Sequence, residues 1–185
     1  MLSPMRGYQN MVAKKLTSKK VKKLVANHTD KRQGVDLRGA DLSGIDLGEI
    51  DLRRANLSKA NLQQANLCKA NLAEANLRKA NLAEANLNKA NLRRTNLSWA
   101  DLNKVNLKNA DLRYTDLRWA NLRGASLNNA DLRKADLRDA DLQGTDLQKV
   151  NLNGANLLGA NLKNSNLKKI NYDQHTEWPE GFKPK

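Results

Sequence analysis

Residues 55–94 read ANLSK-ANLQQ-ANLCK-ANLAE-ANLRK-ANLAE-ANLNK-ANLRR, which is one five-residue unit repeated without interruption. The period continues on both sides of this stretch, because a leucine occupies every fifth position from Leu37 to Leu167, 27 in succession. Asn or Asp precedes almost every one of these leucines, and a small residue, most often alanine, stands two positions before it. This period decides which fold the chain can adopt.

A period of five fits neither a regular helix nor a continuous strand. On a helix, successive leucines would advance by about 500° and scatter around the cylinder. In a strand, side chains alternate with period two, so Leu37 and Leu42 would face opposite sides of the sheet. The pattern instead predicts about three extended residues followed by a two-residue corner. Corners that turn the same way wind the chain into a β-solenoid with the alanines and leucines inside, and bury Leu62, Leu82 and Leu102.

The tandem A(N/D)Lxx unit resembles the pentapeptide-repeat protein family, and the resemblance covers most of the chain. It implies an all-β fold, a right-handed four-sided (quadrilateral) parallel β-helix with four pentapeptides per coil. The periodicity alone does not exclude three sides. With four, residues 35–174 form about seven coils and a rod on the order of 33 Å long.

The two ends depart from the repeat and divide the chain into three parts. We expect a basic N-terminal extension at 1–34, helical or disordered, a pentapeptide-repeat β-solenoid at 35–174, and a C-terminal capping tail at 175–185. The tail places Trp178 and Phe182 around Pro179 and Gly181, which predicts a plug over the last coil. It also resembles the ending of many cyanobacterial members of the family.

The N-terminal extension carries nine basic residues and one acid, and three hypotheses fit it. Met11-Val12, Leu16, Val21, Leu24 and Val25 are spaced loosely like one face of a helix, which favours a segment that shields the open first coil. The second hypothesis is a basic arm that binds nucleic acid or an anionic membrane surface. The third is an organelle-targeting segment, which usually contains arginine and serine where this chain has lysine.

Composition and motifs favour a bacterial cytoplasmic protein that is not an enzyme. One cysteine, Cys68, in 185 residues excludes a disulfide framework, and we find neither a signal peptide nor an apolar run of about 20 residues. The narrow core leaves no room for a small-molecule substrate. His28 and His175 are isolated from each other, and no phosphate-binding loop, nucleophile motif or ligand cluster appears. We therefore expect no cofactor, no metal and no catalytic residue.

The outward positions carry a net positive charge and a group of aromatic residues. The chain holds 33 Lys+Arg against 19 Asp+Glu, a net charge of +14. Eleven repeat acids precede a leucine, where we expect their side chains to bond nearby backbone and leave the outermost surface more basic than the total suggests. Residues 20 apart stack in a four-sided coil, so two neighbouring faces share an arginine-rich edge, and Trp99 is expected beside Trp119.

Exposed tryptophan and arginine are enriched at binding hot spots, so this edge is the candidate binding surface. The alternative is that the arginines keep the rod soluble while the indoles pack over neighbouring side chains. The candidate residues are Arg53, Arg54, Arg78, Lys79, Arg93, Arg94, Trp99, Arg113, Tyr114, Arg118, Trp119, Arg133, Lys134 and Arg138.

Three functions are compatible with the sequence. The first is a non-catalytic interaction module, a rigid rod that presents its side chains to a protein partner. The second is electrostatic binding of nucleic acid or an anionic membrane through the basic edge and the N-terminal arm. The third comes from the resemblance, because some pentapeptide-repeat proteins mimic DNA and bind type II topoisomerases. This rod is basic, and it lacks the central phenylalanines and the large loops of those proteins.

Overall fold

The computed structural model describes residues 15–30 and 32–184. One helix, α1, spans Ser18–Ala26, and the hydroxyl oxygen of Thr17 caps it by accepting a hydrogen bond from the Lys20 amide at 3.3 Å. From Asp36 to Glu177 the chain forms parallel bridges of single residues, with no longer strand in the described part. Met11 and Val12 of the predicted helical face lie outside the described residues.

The bridges define a coil of 20 residues. Asp36 pairs with Asn56, and every later bridge joins residues 20 apart until Asn151 pairs with Asn171. Each coil therefore contains four pentapeptides, and a three-sided coil is excluded. In the final bridge Asn156 pairs with Glu177, 21 residues on, where the tail leaves the repeat.

The core is a column of leucines and alanines, as the period predicts. Leu62, Leu82 and Leu102 are completely buried, so the prediction for these three residues is confirmed. Thr95, Thr115 and Thr145 replace alanine inside the column, and their hydroxyls donate to leucine carbonyls of the preceding coil at 2.8–3.0 Å. The interior polar groups are thus paired, as burial requires.

The backbone amides of each five-residue unit have a fixed set of hydrogen-bond acceptors. In the unit of Leu62, the amides of Asn61, Leu62 and Gln64 donate to carbonyls of neighbouring coils at 2.7–2.9 Å. The amide of the next alanine, Ala65, closes the turn by donating to the Leu62 carbonyl. Only the first corner residue, Gln63, has no backbone acceptor, and its amide donates to the side-chain Oδ1 of Asn61 at 3.2 Å.

This side-chain bond explains why Asn or Asp stands before the leucine. The amide of the first corner residue finds the same Oδ1 acceptor in nearly every unit from Arg38 to Lys168. The one exception in this range is the Asn128 amide, which has no such bond. In its unit Ser126 replaces the Asn or Asp that would accept it. Asn and Asp are the residues that best bond their own backbone two positions on.

The same side chains also bond from coil to coil. At eight positions in the described residues, the side-chain nitrogen of an asparagine donates to the Oδ1 of the Asn or Asp one coil earlier. Asn66 donates to Asp46 at 2.7 Å, and Asn86 donates to Asn66 at 3.1 Å. A carboxylate can accept in this ladder but cannot donate. An aspartate therefore fits best where the equivalent residue of the next coil is an asparagine, which can donate to it.

The second corner residue adopts a left-handed backbone conformation. The six glycines that occupy this position have φ between 64° and 71°, as expected for turn residues. Twenty-one non-glycine residues have the same conformation, including Trp99 at φ 62°, and their residue types do not predict it. A positive φ at the third residue of a hydrogen-bonded turn is the type II geometry. Each of these side chains therefore costs backbone strain that the stacked coils must outweigh.

Helix α1 covers the first coil. Leu16 and Val21 are buried and join the core, and the Leu16 amide donates to the Asp41 carbonyl at 2.9 Å. The Ser18 hydroxyl accepts a hydrogen bond from the Asp46 amide at 3.1 Å. Ser43, and more weakly Lys15, hold the pKa of Asp41 below its ordinary value.

The C-terminal residues cover the other end. The Thr176 hydroxyl donates to the Leu152 carbonyl at 3.0 Å, and Trp178 and Phe182 pack against the core with ring centroids 5.4 Å apart. Tyr172 meets the edge of Trp178 at 5.5 Å. Residues outside the regular repeat therefore pack against both ends of the leucine column.

Replacing Lys149 by glycine should stabilise the protein by up to about 1 kcal/mol, because it relieves a left-handed lysine (φ 59°) in a second corner position. The matched control is Gln148→Gly at the preceding first corner position. It should destabilise by about 0.5–1 kcal/mol through added chain entropy. Urea unfolding of both variants checks this, and equal destabilisation by the two glycines would contradict the account.

Replacing Asn66 by aspartate should lower the urea concentration at the midpoint of unfolding, at neutral pH, more than replacing Asn86 by aspartate does. Both changes remove a coil-to-coil donor, but only the first stacks a new carboxylate on Asp46. The Gly48 amide, followed by the Asn66 side chain, holds the pKa of Asp46 below its ordinary value. That stabilisation is present above the unfolded pKa, so the difference between the variants should shrink as pH falls through the carboxyl range. A pH-independent difference would count against the ladder.

Candidate functional site

The predicted arginine-rich edge is two separate corners of the rod. We call the column of first and second corner residues 53/54, 73/74, 93/94, 113/114 and 133/134 the Tyr114 corner. The Trp99 corner is the column 58/59, 78/79, 98/99, 118/119 and 138/139, which follows it along the chain. The three aromatic residues of the candidate surface thus lie on different corners of one face.

At the Trp99 corner, the two indoles stack on each other. The ring centroids of Trp99 and Trp119 are 5.0 Å apart with an interplanar angle of 17°, so the predicted neighbours are confirmed. Both residues are second corner residues with positive φ, and their side chains are 50% and 41% exposed. The Arg118 guanidinium lies 5.4 Å from the Trp119 ring, a cation–π distance.

At the Tyr114 corner, one aromatic ring lies between two cations. The guanidinium of Arg94 and the ammonium of Lys134 each lie 5.6 Å from the centre of the Tyr114 ring. These three residues occupy second corner positions of successive coils. The ring is 44% exposed, so it contacts its cations and remains open to solvent.

The expectation that the outermost surface is more basic than the total needs correction, because many candidate arginines are paired with aspartate. Arg113 donates to Asp111 at 2.6 Å and lies 3.5 Å from Asp131, one coil on. Arg133 pairs with Asp131 at 2.7 Å, and Arg93 reaches Asp111 at 4.0 Å. The aspartates therefore bond the backbone and neutralise arginines at the same time.

A second ladder at the Trp99 corner has the same form. Arg118 pairs with Asp116 at 2.8 Å and lies 3.6 Å from Asp136, which pairs with Arg138 at 2.6 Å. Burial raises the pKa of Asp136, but hydrogen bonds and charge from Arg138 outweigh it and hold that pKa below its ordinary value. In both ladders two aspartates stack directly, and the arginines offset the repulsion that stacked carboxylates would have.

The pairing divides the candidate residues into two groups. The candidate residues with an acidic partner within 4.0 Å are Arg53, Arg54, Arg93, Arg113, Arg118, Arg133 and Arg138. Within residues 15–30 and 32–184, Arg78 and Lys79 have no acid this close, and Arg94 and Lys134 contact Tyr114 instead. Lys59, on the same face but outside the candidate set, also lacks an acidic neighbour and stacks one coil before Lys79.

A cleft of about 450 Å³ lies outside the core between the segment after α1 and the first coils. Its charged lining is paired internally, since Arg53 bonds Asp51 at 2.7 Å and Arg54 bonds Glu74 at 2.9 Å. Nowhere in the described chain do three His, Cys, Asp or Glu side chains come together in a way that could hold a metal ion. No helix among the described residues is long and apolar enough to cross a membrane.

The chain belongs to the pentapeptide-repeat family. Four stretches, residues 36–72, 70–109, 100–139 and 135–171, match the family described as Pentapeptide repeats (8 copies). Together they cover residues 36–171, and no catalytic family is indicated. The comparison with curated proteins gave no match.

Solved structures of the same family resemble this chain. The pentapeptide repeat protein alr5209 from Nostoc PCC 7120 is 46% identical over 50% of this chain and 77% of its own, with a TM-score of 0.50. QnrB1, a plasmid-mediated fluoroquinolone resistance protein, is 17% identical over 78% of this chain and 87% of its own, with a TM-score of 0.53. The second likeness shows the fold alone.

Replacing Arg133 by glutamine should destabilise the protein at neutral pH by less than about 1 kcal/mol, as for other partly exposed ion pairs. Burial raises the pKa of Asp131, but Arg133 outweighs it, so the net pKa is below the ordinary value. The pair therefore stabilises the fold above the unfolded pKa, and its contribution is lost as pH falls through the folded pKa. Lys134→Gln, which breaks no ion pair, is the control. A loss for R133Q that does not shrink as pH falls through the carboxyl range would refute the pairing.

Proposed function

We propose that the protein is a non-catalytic interaction module, a rigid rod whose corner side chains bind a protein partner. The observation that carries the proposal is the pair of exposed, ordered indoles, Trp99 and Trp119, on a backbone fixed by coil-to-coil hydrogen bonds. Large aromatic side chains that are held rigidly lose little entropy on binding and dominate protein–protein hot spots. The core is filled by leucine and alanine, so binding must take place on the outer surface.

The pairing of arginine with aspartate favours a protein partner over a polyanion. Seven of the candidate arginines already have acidic neighbours, so phosphate groups would have to displace carboxylates to reach them. Affinity for nucleic acid depends on the number of phosphates that free cations neutralise. The corners therefore offer fewer phosphate contacts than their arginine count suggests.

Binding of nucleic acid or an anionic membrane is the second candidate, and helix α1 is the observation in its favour. Lys19, Lys20, Lys22 and Lys23 are all exposed on this helix, where they form a compact basic patch. No observation favours the topoisomerase-binding DNA mimic, since a basic rod is a poor imitation of DNA.

The proposal retains the finer expectations from the sequence. These are a right-handed coil of about seven turns, a cytoplasmic bacterial setting, and the division into residues 1–34, 35–174 and 175–185. The parallel bridges from Asp36 to Asn171 support the bounds of the middle segment, residues 35–174. The contacts of α1 and of Trp178 with the core support the roles of the two end segments as caps.

The test is capture of partners on the immobilised full chain from a bacterial lysate treated with nuclease and washed at low and high salt. We expect one protein to be retained at about 1 M salt, because its apolar contacts with the indoles persist where a Debye length of about 3 Å screens exposed charges. The matched variant replaces Lys19, Lys20, Lys22 and Lys23 by glutamine, and it should retain the same protein. Recovery of nucleic acid or lipid alone, lost at high salt and lost from the glutamine variant, would contradict the proposal in favour of the second candidate.

A further inference from the structure

We propose that the strip Lys59, Arg78, Lys79, Trp99 and Trp119 along the Trp99 corner is the docking surface for an acidic segment of the protein partner. This inference rests on the proposed function and names the chemistry of the partner. The strip combines three cations with two exposed indoles on one edge of the rod.

The cations of the strip differ from the other basic side chains of this face. Arg118 and Arg138 on the same corner are paired with aspartates at 2.8 Å and 2.6 Å. Around Arg78 the two nearest residues of the ladder are Asn76 and Asn96, which carry no charge. Within the described residues, Lys59, Arg78 and Lys79 therefore face solvent without an acidic partner, and they exert their full charge on an incoming ligand.

The strip is continuous along the rod axis. Lys59, Lys79, Trp99 and Trp119 are second corner residues of four successive coils with φ between 56° and 62°, so their side chains leave the rod at equivalent points. Three coil spacings give a length of about 15 Å, which matches about five residues of extended peptide. Ser58 and Ser98, the short residues before Lys59 and Trp99, bond the side chains of Asn56 and Asn96.

The arrangement fits an acidic peptide with an apolar side chain better than it fits single-stranded nucleic acid. The indoles stack on each other at 5.0 Å, so no base can enter between them, and stacking on free rings is the main interaction of single-stranded nucleic acid with proteins. The short carboxylate side chains of an acidic peptide can pair with the three cations Lys59, Arg78 and Lys79 next to the indoles.

The experiment measures binding of a labelled peptide of glutamate and aspartate with a central Leu-Phe pair to the full chain. The comparison probes are the same peptide with glutamine and asparagine, and an oligothymidylate of equal charge. We expect the acidic peptide alone to bind at physiological salt. In nuclear magnetic resonance spectra, the indole N–H signals of Trp99 and Trp119 should shift, while that of Trp178 should not.

Two variants test the strip, and each uses residues that this chain already carries at the same repeat position. The first variant combines Lys59→Glu, Arg78→Gln and Lys79→Glu and removes the positive charges of the strip. The second variant combines Trp99→Asn and Trp119→Asn and removes its aromatic rings. Each should weaken the peptide by about tenfold or more. The control makes the same charge changes on the diagonally opposite corner, Lys89→Glu with Lys108→Gln and Lys149→Glu, and should change affinity less than about twofold.

Equal weakening by the control set, or tighter binding of the oligothymidylate than of the peptide at the strip, would overturn this inference. Thermal unfolding of each variant separates loss of binding from loss of fold. If a protein retained by the native chain is retained equally by both strip variants, the strip is wrong and the interaction module stands. If the peptide binds the strip but only nucleic acid or lipid is ever captured, the proposed function fails instead.

Discussion

The structure depends on the amide of the first corner residue, the one backbone donor that the solenoid cannot satisfy with its own carbonyls. Three of the five amides in each unit bond to neighbouring coils and one closes the turn. The fifth turns toward the surface, where a side-chain oxygen two residues earlier accepts it. An unpaired donor at each corner would cost about 1–3 kcal/mol if buried, and the corner recurs in every unit. Asn and Asp therefore follow from the backbone geometry as directly as leucine follows from the core.

This constraint accounts for much of the charge on the rod. At eight positions along the described chain, the capping residue is an asparagine whose side-chain amide extends the ladder to the coil before it, as Asn86 does to Asn66. Where two aspartates stack, as Asp111 and Asp131 do, the ladder needs a cation, and Arg113 supplies it. Five of the 13 arginines lie beside these stacked carboxylates and offset their charge: Arg93, Arg113, Arg118, Arg133 and Arg138. The basic residues outside these pairs are therefore the ones that a partner can use.

The sequence predicted the interior of this fold well because the period leaves few alternatives. The burial of Leu82 and the contact between Trp99 and Trp119 both follow once residues 20 apart are stacked. The number of units per coil came from the family resemblance, since a period of five is equally compatible with three sides. The charge pairing was missed, although the short pairs join residues two apart in one unit, as Arg113 and Asp111 do. Only the longer contacts, such as that of Arg113 with Asp131, depend on how the coils stack. The signal was nonetheless present, since Asp-Leu-Arg occurs at Asp111, Asp116, Asp131 and Asp136.

The left-handed corners were missed for a different reason. Glycine alone signals this conformation by residue type, whereas Lys, Trp and Tyr adopt it here because the stacked coils hold them there. The same effect orients the exposed rings, because it fixes the backbone from which the side chains of Trp99 and Trp119 project. A surface of this kind depends on the register of the whole coil and not on local sequence.

The most direct test of this account is hydrogen exchange of individual amides in one column of first corner residues. Lys108, Asn128 and Gln148 stack in successive coils, and the amides of the first and third are capped by Asn106 and Asp146. The Asn128 amide follows Ser126 and has no cap. The account predicts that the Asn128 amide exchanges markedly faster than the Lys108 and Gln148 amides. Equal exchange at the three positions would show that the side-chain cap does not hold the corner.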